Sequence, residues 1–159
     1  MLTWMRVPFS ALSTEQLYQL LKLRVDVFVV EQQCPYPELD NKDLAPGVQH
    51  LLGYQDDQLV ACARLLPPRV SYPSASIGRV ATLKTARGGG LGHQLLAQAL
   101  AACAELWPGE DIEIGAQHYL LAYYTRHGFH PTSAVYLEDG IPHVDMKWSP
   151  PSYSSAVDA

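Results

Sequence analysis

Apolar residues in the first part of the chain recur with the period of an α-helix. Ser13-Thr14-Glu15-Gln16 has the form of a capping box, in which Ser13 caps the helix and the side chain of Gln16 reaches back. The apolar positions that follow at spacings of three and four are Leu17, Leu20, Leu21, Val25 and Phe28. The pattern predicts an amphipathic helix that continues until Cys34-Pro35-Tyr36-Pro37 stops it, followed by a surface loop up to Gly47.

Runs of β-like composition fill the middle of the chain. Residues 49–55 and 59–66 flank Asp56-Asp57, which favours a hairpin of two antiparallel strands. A third strand is predicted over residues 76–83. The sequence Ala-Arg-Gly-Gly-Gly at 86–90 then breaks regular structure, and apolar residues resume at helical spacing from 91 to 106. The predicted order here is strand, glycine turn, helix.

The last third predicts short elements. They are a strand over 112–115, a helix over 117–127 ended by Gly128, and strands over 135–137 and 143–146 joined by a turn at 138–142. Together the elements predict one three-layer α/β or α+β domain over residues 1–149, with a mostly antiparallel sheet and a local β-α-β unit, and a flexible tail over 150–159. Ligands of such sheets bind beyond the carboxyl ends of strands.

Composition narrows the class of protein. The chain has 159 residues, of which 48% are hydrophobic and 17% charged, so a folded core is expected. The formal net charge of −5 argues against a nucleic-acid partner, because backbone binding needs a basic surface. No apolar run is long enough for a membrane span, and the start lacks the form of a secretion signal. The protein is therefore expected to be cytoplasmic, without a membrane partner.

Cysteine and histidine positions predict neither disulfides nor a metal site. Cys34, Cys62 and Cys103 are odd in number and form no C-x-x-C pair, which suits a reducing compartment. His118 and His127 have no defensible ligand spacing with acids or cysteines, and neither has His130. We therefore expect no metal.

The glycine turn is the most informative motif. Arg87-Gly88-Gly89-Gly90-Leu91-Gly92 lies between a predicted strand and a predicted helix. Glycines let the backbone aim several N-H groups at one point, and the first helical turn adds its unpaired donors, so phosphate is the natural occupant. The alternative is that the glycines only make a flexible turn. A Walker loop is not indicated, since His93-Gln94 follows Gly92, and a dinucleotide fingerprint would need glycine at position 93.

The pattern that fits is Arg/Gln-x-x-Gly-x-Gly/Ala, met by Arg87, Gly90 and Gly92, and here the sequence resembles the GNAT superfamily of N-acetyltransferases. A second motif of that family, Tyr-x-x-x-Gly-Phe, is matched from Tyr124 to Phe129. Residues 28–36, 115–117 and 138–143 resemble the ElaA-like branch, so the likeness covers about residues 4 to 147. Taken alone, Tyr124 could be a core residue and Gly128 an ordinary helix end.

The resemblance implies a GNAT fold whose central sheet splays between the strand of Val80 and the strand of Ile112 to admit acetyl-CoA as cosubstrate. It implies acetyl transfer to a small-molecule or peptide amine, and pairs of subunits are common in the superfamily. The implied cofactor-binding residues are Val80, Ala81, Thr82, Arg87, Gly88, Gly89, Gly90, Leu91, Gly92, His93, Gln117 and Tyr124. Arg87 and His93 could instead be solvated loop residues.

Direct transfer needs a base for the amine and an acid for the leaving thiolate. The candidates for the base are Glu31 and His143, with His50 behind them, although Glu31 could be a solvated helix-end acid and His143 a hydrogen-bonded strand residue. The resemblance makes Tyr124 the acid, with Tyr123 as its competitor. The expected function is acetyl transfer from acetyl-CoA to a primary amine by direct attack in a ternary complex. The alternative is a CoA-binding regulatory or interaction module that transfers nothing.

Overall fold

Eight strands within the described residues form one mixed sheet in the order β1-β2-β3-β4-β5-β8-β6, with β7 paired to β8. The computed structural model describes residues 1–151. The strands are β1 (Leu2–Pro8), β2 (Gln49–Gln55), β3 (Gln58–Leu66), β4 (Ala75–Thr82), β5 (Ile112–Gln117), β6 (His130–Pro131), β7 (Tyr136–Glu138) and β8 (Ile141–Trp148). The helices are α1 (Thr14–Val25), α2 (Leu91–Leu106) and α3 (Leu121–Arg126). Every strand pair is antiparallel except β4 with β5, so the predicted fold class is confirmed.

Alternating side chains of the sheet pack in two different cores. On β2, Leu51 belongs to the cluster built with α2, whereas its neighbour Leu52 belongs to the cluster that contains Leu20 and Leu23 of α1. Successive residues of a strand point to opposite faces, so one strand serves both layers. The predicted hairpin is present: Asp56 and Asp57 both have positive φ, 50° and 67°, as a type I′ turn requires.

The parallel pair β4 and β5 is hydrogen-bonded only at its start. Ala75 pairs with Ile112 and Ser76 with Glu113, and no further pairs follow between the two strands. Farther along β4, the register with β3 shifts at a bulge where Arg79 adopts a positive φ of 49°. The predicted splay of the sheet is therefore confirmed. The bulge lies on β4, beyond the point where β5 stops pairing with it.

The N-terminal prediction needs two corrections. The chain opens on a strand, β1, which was not predicted, and α1 ends at Val25 and passes into a π-helical segment, Asp26–Glu31. The capping box at Ser13 and Gln16 is present. Val25 is exposed rather than part of the buried stripe, because Arg24 occupies the inward position next to it.

The segment predicted as a surface loop is in part buried. Glu38 is 5% exposed and Asp43 is 7% exposed, and both carboxylates contact the buried guanidinium of Arg24, at 2.7 and 2.8 Å respectively. Composition predicted a loop because acids and prolines are typical of surfaces. The acids are inside because each has an arginine partner.

Two boundaries near the C-terminus also differ. Gln117 is the last residue of β5 rather than the start of a helix, and a 3₁₀ turn, His118–Leu120, precedes α3. The predicted turn at 138–142 is a tight connection of Asp139 and Gly140 between β7 and β8. The described residues include no helix that is both long and apolar enough to cross a membrane. Most of the predicted tail lies outside the described residues.

Candidate active site

A cleft of about 890 Å³ follows the gap between β4 and β5. Its walls include Val80, Ala81 and Thr82 of β4, Ile114, Gly115 and Gln117 of β5, and the tyrosines at 123 and 124 of α3. The cleft exists because the two strands stop pairing after two residues, which leaves strand backbone and side chains without a neighbour in the sheet. The site predicted at the β-α-β unit therefore coincides with a real cavity.

The glycine loop opens onto the N-terminal end of α2. Gly88 and Gly90 have positive φ, 104° and 81°, and a Cβ placed at 88, 89 or 90 would meet nothing within 4 Å. No side chain caps α2 at Gly90, and the first helical hydrogen bond runs from the N-H of Gln94 to the carbonyl of Gly90 at 3.0 Å. The N-H groups of the first turn are therefore unpaired within the helix. Open space beside free backbone donors fits the pyrophosphate of a CoA molecule.

Arg87, at the start of this loop, is engaged by an acid from the other side of the cleft. Its guanidinium donates to the carboxylate of Glu31 at 2.6 and 2.9 Å, and to the hydroxyl and carbonyl oxygens of Thr82 at 3.0 and 2.8 Å. The hydrogen bond and the charge of Arg87 lower the pKa of Glu31 below its ordinary value. Arg87, predicted to bind the cofactor, and Glu31, a predicted base, thus form an ion pair with each other.

His93 lies in the first turn of α2 but is turned toward α3. Its Nδ1 is 2.8 Å from Nε2 of His127, and its Nε2 is 3.5 Å from Nη1 of Arg126. Burial lowers the pKa of His127, and the adjacent His93 lowers it further. Neither His93 nor His127 lines the cleft between the strands.

Adjacent tyrosines of α3 have different environments. The hydroxyl of Tyr123 donates to the carbonyl of Gly92 at 2.5 Å, which ties α3 to the first turn of α2. Tyr124 is 7% exposed and lines the cleft, and no described residue accepts or donates a hydrogen bond at its hydroxyl. Burial raises the pKa of Tyr123 to about 12 and that of Tyr124 further. Both phenols are protonated at neutral pH.

Gln117 spans the cleft mouth. Its amide and that of Gln32, from the turn after the π-helical segment, exchange two hydrogen bonds of 3.0 and 3.3 Å. Gln32 was not predicted as a site residue, because its place beside the cleft depends on the π-helical turn. The extra residue of that turn rotates the end of α1 relative to an uninterrupted helix.

The two histidine candidates for the base have different positions. His143 of β8 lines the cleft, with Nδ1 2.7 Å from the carbonyl oxygen of Ile141 and Nε2 3.6 Å from the carboxylate of Glu138. His50 of β2 is 1% exposed, does not line the cleft, and has no hydrogen-bond partner within residues 1–151 at either ring nitrogen. The structure therefore separates His50 from the site.

A group of residues on the C-terminal wall was missed by sequence reasoning. Asp145 of β8 accepts hydrogen bonds at Oδ1 from the hydroxyls of Tyr72, at 3.1 Å, and Tyr136, at 2.7 Å. The strand register places Asp145 opposite Gly115. The available signal was the alternation on β8, which places His143 and Asp145 on one face. Tyr72 is distant in the chain, and Tyr136, the first residue of β7, meets Asp145 only through the pairing of β7 with β8. Neither tyrosine left a local signal.

The described part of the chain contains no group of three or more histidine, cysteine or acidic side chains arranged to hold a metal ion. The arginines on the cleft wall are instead paired with acids. Arg64 contacts Asp40 at 2.8 and 2.9 Å, and Arg79 contacts Glu38 at 2.8 Å.

Comparisons with known proteins agree with this geometry. Residues 12–150 match the model of the acetyltransferase (GNAT) domain. The chain is 44% identical over 146 residues to the protein ElaA of Escherichia coli strain K12, which covers 92% of this chain and 95% of the relative. The crystal structure of E. coli ElaA matches with a TM-score of 0.88 at 42% identity, over 94% of this chain and 100% of that one. A crystal structure of an acyl-CoA N-acyltransferase from Pseudomonas aeruginosa matches with a TM-score of 0.89 at 46% identity and the same coverage. The chain therefore belongs to the GNAT family of acetyltransferases.

Proposed function

We propose that the protein transfers an acetyl group from acetyl-CoA to a primary amine, by direct attack of the amine within a ternary complex. The observation that carries the proposal is that Arg87 and Gly92, at the two ends of the glycine loop, line the same cleft between β4 and β5 as Tyr124. A pyrophosphate held at the loop leaves the gap for the pantetheine arm, which directs the thioester toward the bulged part of β4.

In this proposal the backbone amides of residues 88–92 provide most of the phosphate binding. Arg87 adds a charged donor once it exchanges Glu31 for the ligand, and Gln117 adds an amide from the other wall. His93, in the first turn of α2, is a further proposed phosphate contact. Its Nδ1 and Nε2 of His127 form one hydrogen bond, in which one ring donates a proton to the other. Backbone binding survives substitution of single side chains, so each of these should weaken binding without abolishing it.

The chemical step needs a neutral amine, because an ammonium has no lone pair to attack the thioester. Glu31 and His143 are the proposed bases, acting directly or through water. The ion pair with Arg87 makes Glu31 a weaker base until Arg87 is drawn away. If His143 donates its Nδ1 proton to the carbonyl of Ile141, the lone pair of Nε2 is free to accept a proton.

Tyr124 is the proposed acid toward the leaving thiolate, and backbone N-H groups of Val80, Ala81 and Thr82 are the proposed donors to the oxyanion. Burial raises the pKa of Tyr124, so complete transfer of its proton is more uphill than for an ordinary phenol. A hydrogen bond from the hydroxyl to the developing thiolate is then the main contribution, strengthened by the same burial.

Two measurements test the proposal. Titration calorimetry should give an acetyl-CoA Kd in the micromolar range, about −8 kcal/mol, and a screen of amines with thiol release as readout should find an acceptor. Absence of binding by acetyl-CoA and CoA overturns the proposal. Binding without turnover of any amine favours the alternative, a CoA-binding regulatory or interaction module.

The three cysteines are buried and free, which suits the cytoplasmic location that we also propose.

A further inference from the structure

The wall of the cleft opposite β4 contains a carboxylate whose partners are neutral. Asp145 is half-buried, and its Oδ1 accepts from the hydroxyls of Tyr72 and Tyr136. Burial raises the pKa of both phenols, and the adjacent charge of Asp145 raises it further, so both hydroxyls keep their protons and donate. No described residue forms a hydrogen bond or a salt bridge at Oδ2 of Asp145.

Several other charged side chains of this cleft are already paired. Glu31 holds Arg87, and Asp40 holds Arg64 at 2.8 Å. Lys42 donates to the hydroxyl of Ser71 at 2.7 Å rather than to a carboxylate. Asp145 differs from the paired acids because its carboxylate, half-buried in the cleft wall, has only neutral donors around it. Such a charge is costly unless a cation balances it.

Two glycines shape the cleft beside this carboxylate. Gly115 lies opposite Asp145 across β5 and β8, and a Cβ there would lie 3.1 Å from the hydroxyl of Tyr72 and 3.2 Å from that of Tyr136. Gly115 is exposed and borders the cleft. Gly78, on the facing strand, has nothing within 4 Å of its Cβ position. Gly115 thus leaves the room that the two tyrosine hydroxyls occupy beside Asp145, and Gly78 leaves the facing wall without a side chain.

We propose that Asp145, oriented by Tyr72 and Tyr136, binds a second ammonium group of the acceptor, so that the acceptors of this enzyme are aliphatic diamines or longer polyamines. This inference rests on the proposed acetyl transfer.

The reacting nitrogen is not the group that Asp145 holds. A carboxylate beside an ammonium favours the protonated form, which cannot attack the thioester. Asp145 lies on β8, two strands from the β4 backbone at which attack is proposed, a separation of about 10 Å or more where the strands splay. That separation suits a molecule with one nitrogen at each end.

The experiment compares putrescine with n-butylamine, which has the same carbon chain but lacks the second ammonium. Thiol release is measured with acetyl-CoA for the wild type, Asp145→Asn and Asp139→Asn. Asparagine keeps an acceptor oxygen for both tyrosine hydroxyls and removes only the charge. Asp139 is an exposed acid at the same end of the cleft, so Asp139→Asn controls for general electrostatic attraction.

In the wild type and in Asp139→Asn, kcat/KM should be at least about tenfold higher for putrescine than for n-butylamine. In Asp145→Asn the ratio should fall to within about twofold of unity, through a rise in KM for putrescine, with the n-butylamine value unchanged. No preference in the wild type, or a preference that persists in Asp145→Asn, overturns the inference while leaving acetyl transfer intact.

A binding measurement separates failure of the site from failure of the proposed function. Both amines are titrated into each protein saturated with CoA. If no amine is acetylated, stronger binding of putrescine that is lost in Asp145→Asn still supports the cation site. Equal binding of the two amines, or no binding of either, overturns the site.

Discussion

Arg87 and Glu31 meet across the mouth of the cleft in a two-pronged ion pair, with contacts of 2.6 and 2.9 Å. Glu31 comes from the π-helical segment after α1, and Arg87 comes from the turn before the glycine loop. The side chains are 30% and 37% exposed. In this state Arg87, proposed to bind the pyrophosphate, and Glu31, proposed as a base, neutralise each other. A ligand that draws Arg87 away therefore also makes Glu31 a stronger base.

Glu31→Gln should release Arg87 and tighten acetyl-CoA binding by about two- to fivefold, the worth of a partly exposed ion pair. If Glu31 is also the base, kcat should fall by about 10²-fold or more in the same variant. Calorimetry and steady-state rates give the two readouts. Glu15→Gln, an exposed acid in the first turn of α1, is the control. Unchanged or weaker acetyl-CoA binding would contradict the linkage.

Removal of one hydroxyl should distinguish the two adjacent tyrosines. Tyr124→Phe should lower kcat by about 10² to 10⁴-fold with little change in acetyl-CoA affinity. Tyr123→Phe should keep kcat near wild type and raise KM for acetyl-CoA by about fivefold, because it loses the hydrogen bond to Gly92 that steadies the start of α2. Full kcat in Tyr124→Phe, with chemistry rate-limiting, would assign protonation of the thiolate to water or another residue.

Gly89→Ala should weaken acetyl-CoA binding while it stabilises the fold. Gly89 has no positive φ, and its Cβ would meet nothing within 4 Å, so alanine is tolerated and should raise the free energy of unfolding by about 0.4 to 1 kcal/mol. The same methyl group occupies the space proposed for pyrophosphate and should weaken acetyl-CoA binding by about tenfold or more. Denaturation and calorimetry on one sample measure both. Unchanged affinity would place the phosphates elsewhere.

The buried ion pairs behind the cleft should dominate stability. Arg24→Ala leaves Glu38 and Asp43 buried without their guanidinium and should lower the free energy of unfolding by about 3 to 5 kcal/mol. Lys22→Ala removes only a surface pair with Asp26 on the same helix and should stay close to wild type. Urea unfolding measures both. A small effect of Arg24→Ala would mean that water reaches the two acids.

Acid sensitivity should begin with His50. Burial lowers its pKa to about 4, the nearby Asp43 raises it, and Arg24 and Arg64 lower it. Because the folded pKa lies below the ordinary 6.5, the unfolded chain takes up the proton first, and stability falls as the pH drops from 6.5 to about 4. The expected loss is roughly 2 to 3 kcal/mol.

His50→Leu should remove that loss and leave only a shallow fall in stability between pH 6.5 and 4, because the pKa of His127 is also lowered by burial and by His93. Below pH 4 both proteins should lose stability, because Arg64 outweighs the effect of burial and lowers the pKa of Asp40 to about 2, so its ion pair is lost as the pH falls toward that value. Urea unfolding across the pH range is the measurement. An unchanged slope above pH 4 in His50→Leu would assign the main proton uptake to another group.

Local pattern was sufficient for elements that depend on their own residues. The capping box at Ser13, the Asp56-Asp57 hairpin and the order of strand, glycine loop and helix were all predicted, because each depends on the conformational preferences of a few neighbouring residues. The strand β1 was missed. Its place is set by pairing with β2, where the ring of Trp4 covers Gly53, and a Cβ at Gly53 would lie 2.5 Å from that ring.

The sequence by itself determined the position of the glycine loop and, through short motifs with fixed spacing, the resemblance to the family. That resemblance in turn implied the splayed sheet. Tertiary structure alone decided which polar residues meet: Glu31 with Arg87, Gln117 with Gln32, and Asp145 with Tyr72 and Tyr136. Each of these pairs except Asp145 with Tyr136 joins residues more than fifty positions apart in the chain. Their contacts depend on how the π-helical segment, the strand ends and the loops are packed, and local propensity contains no information on that packing.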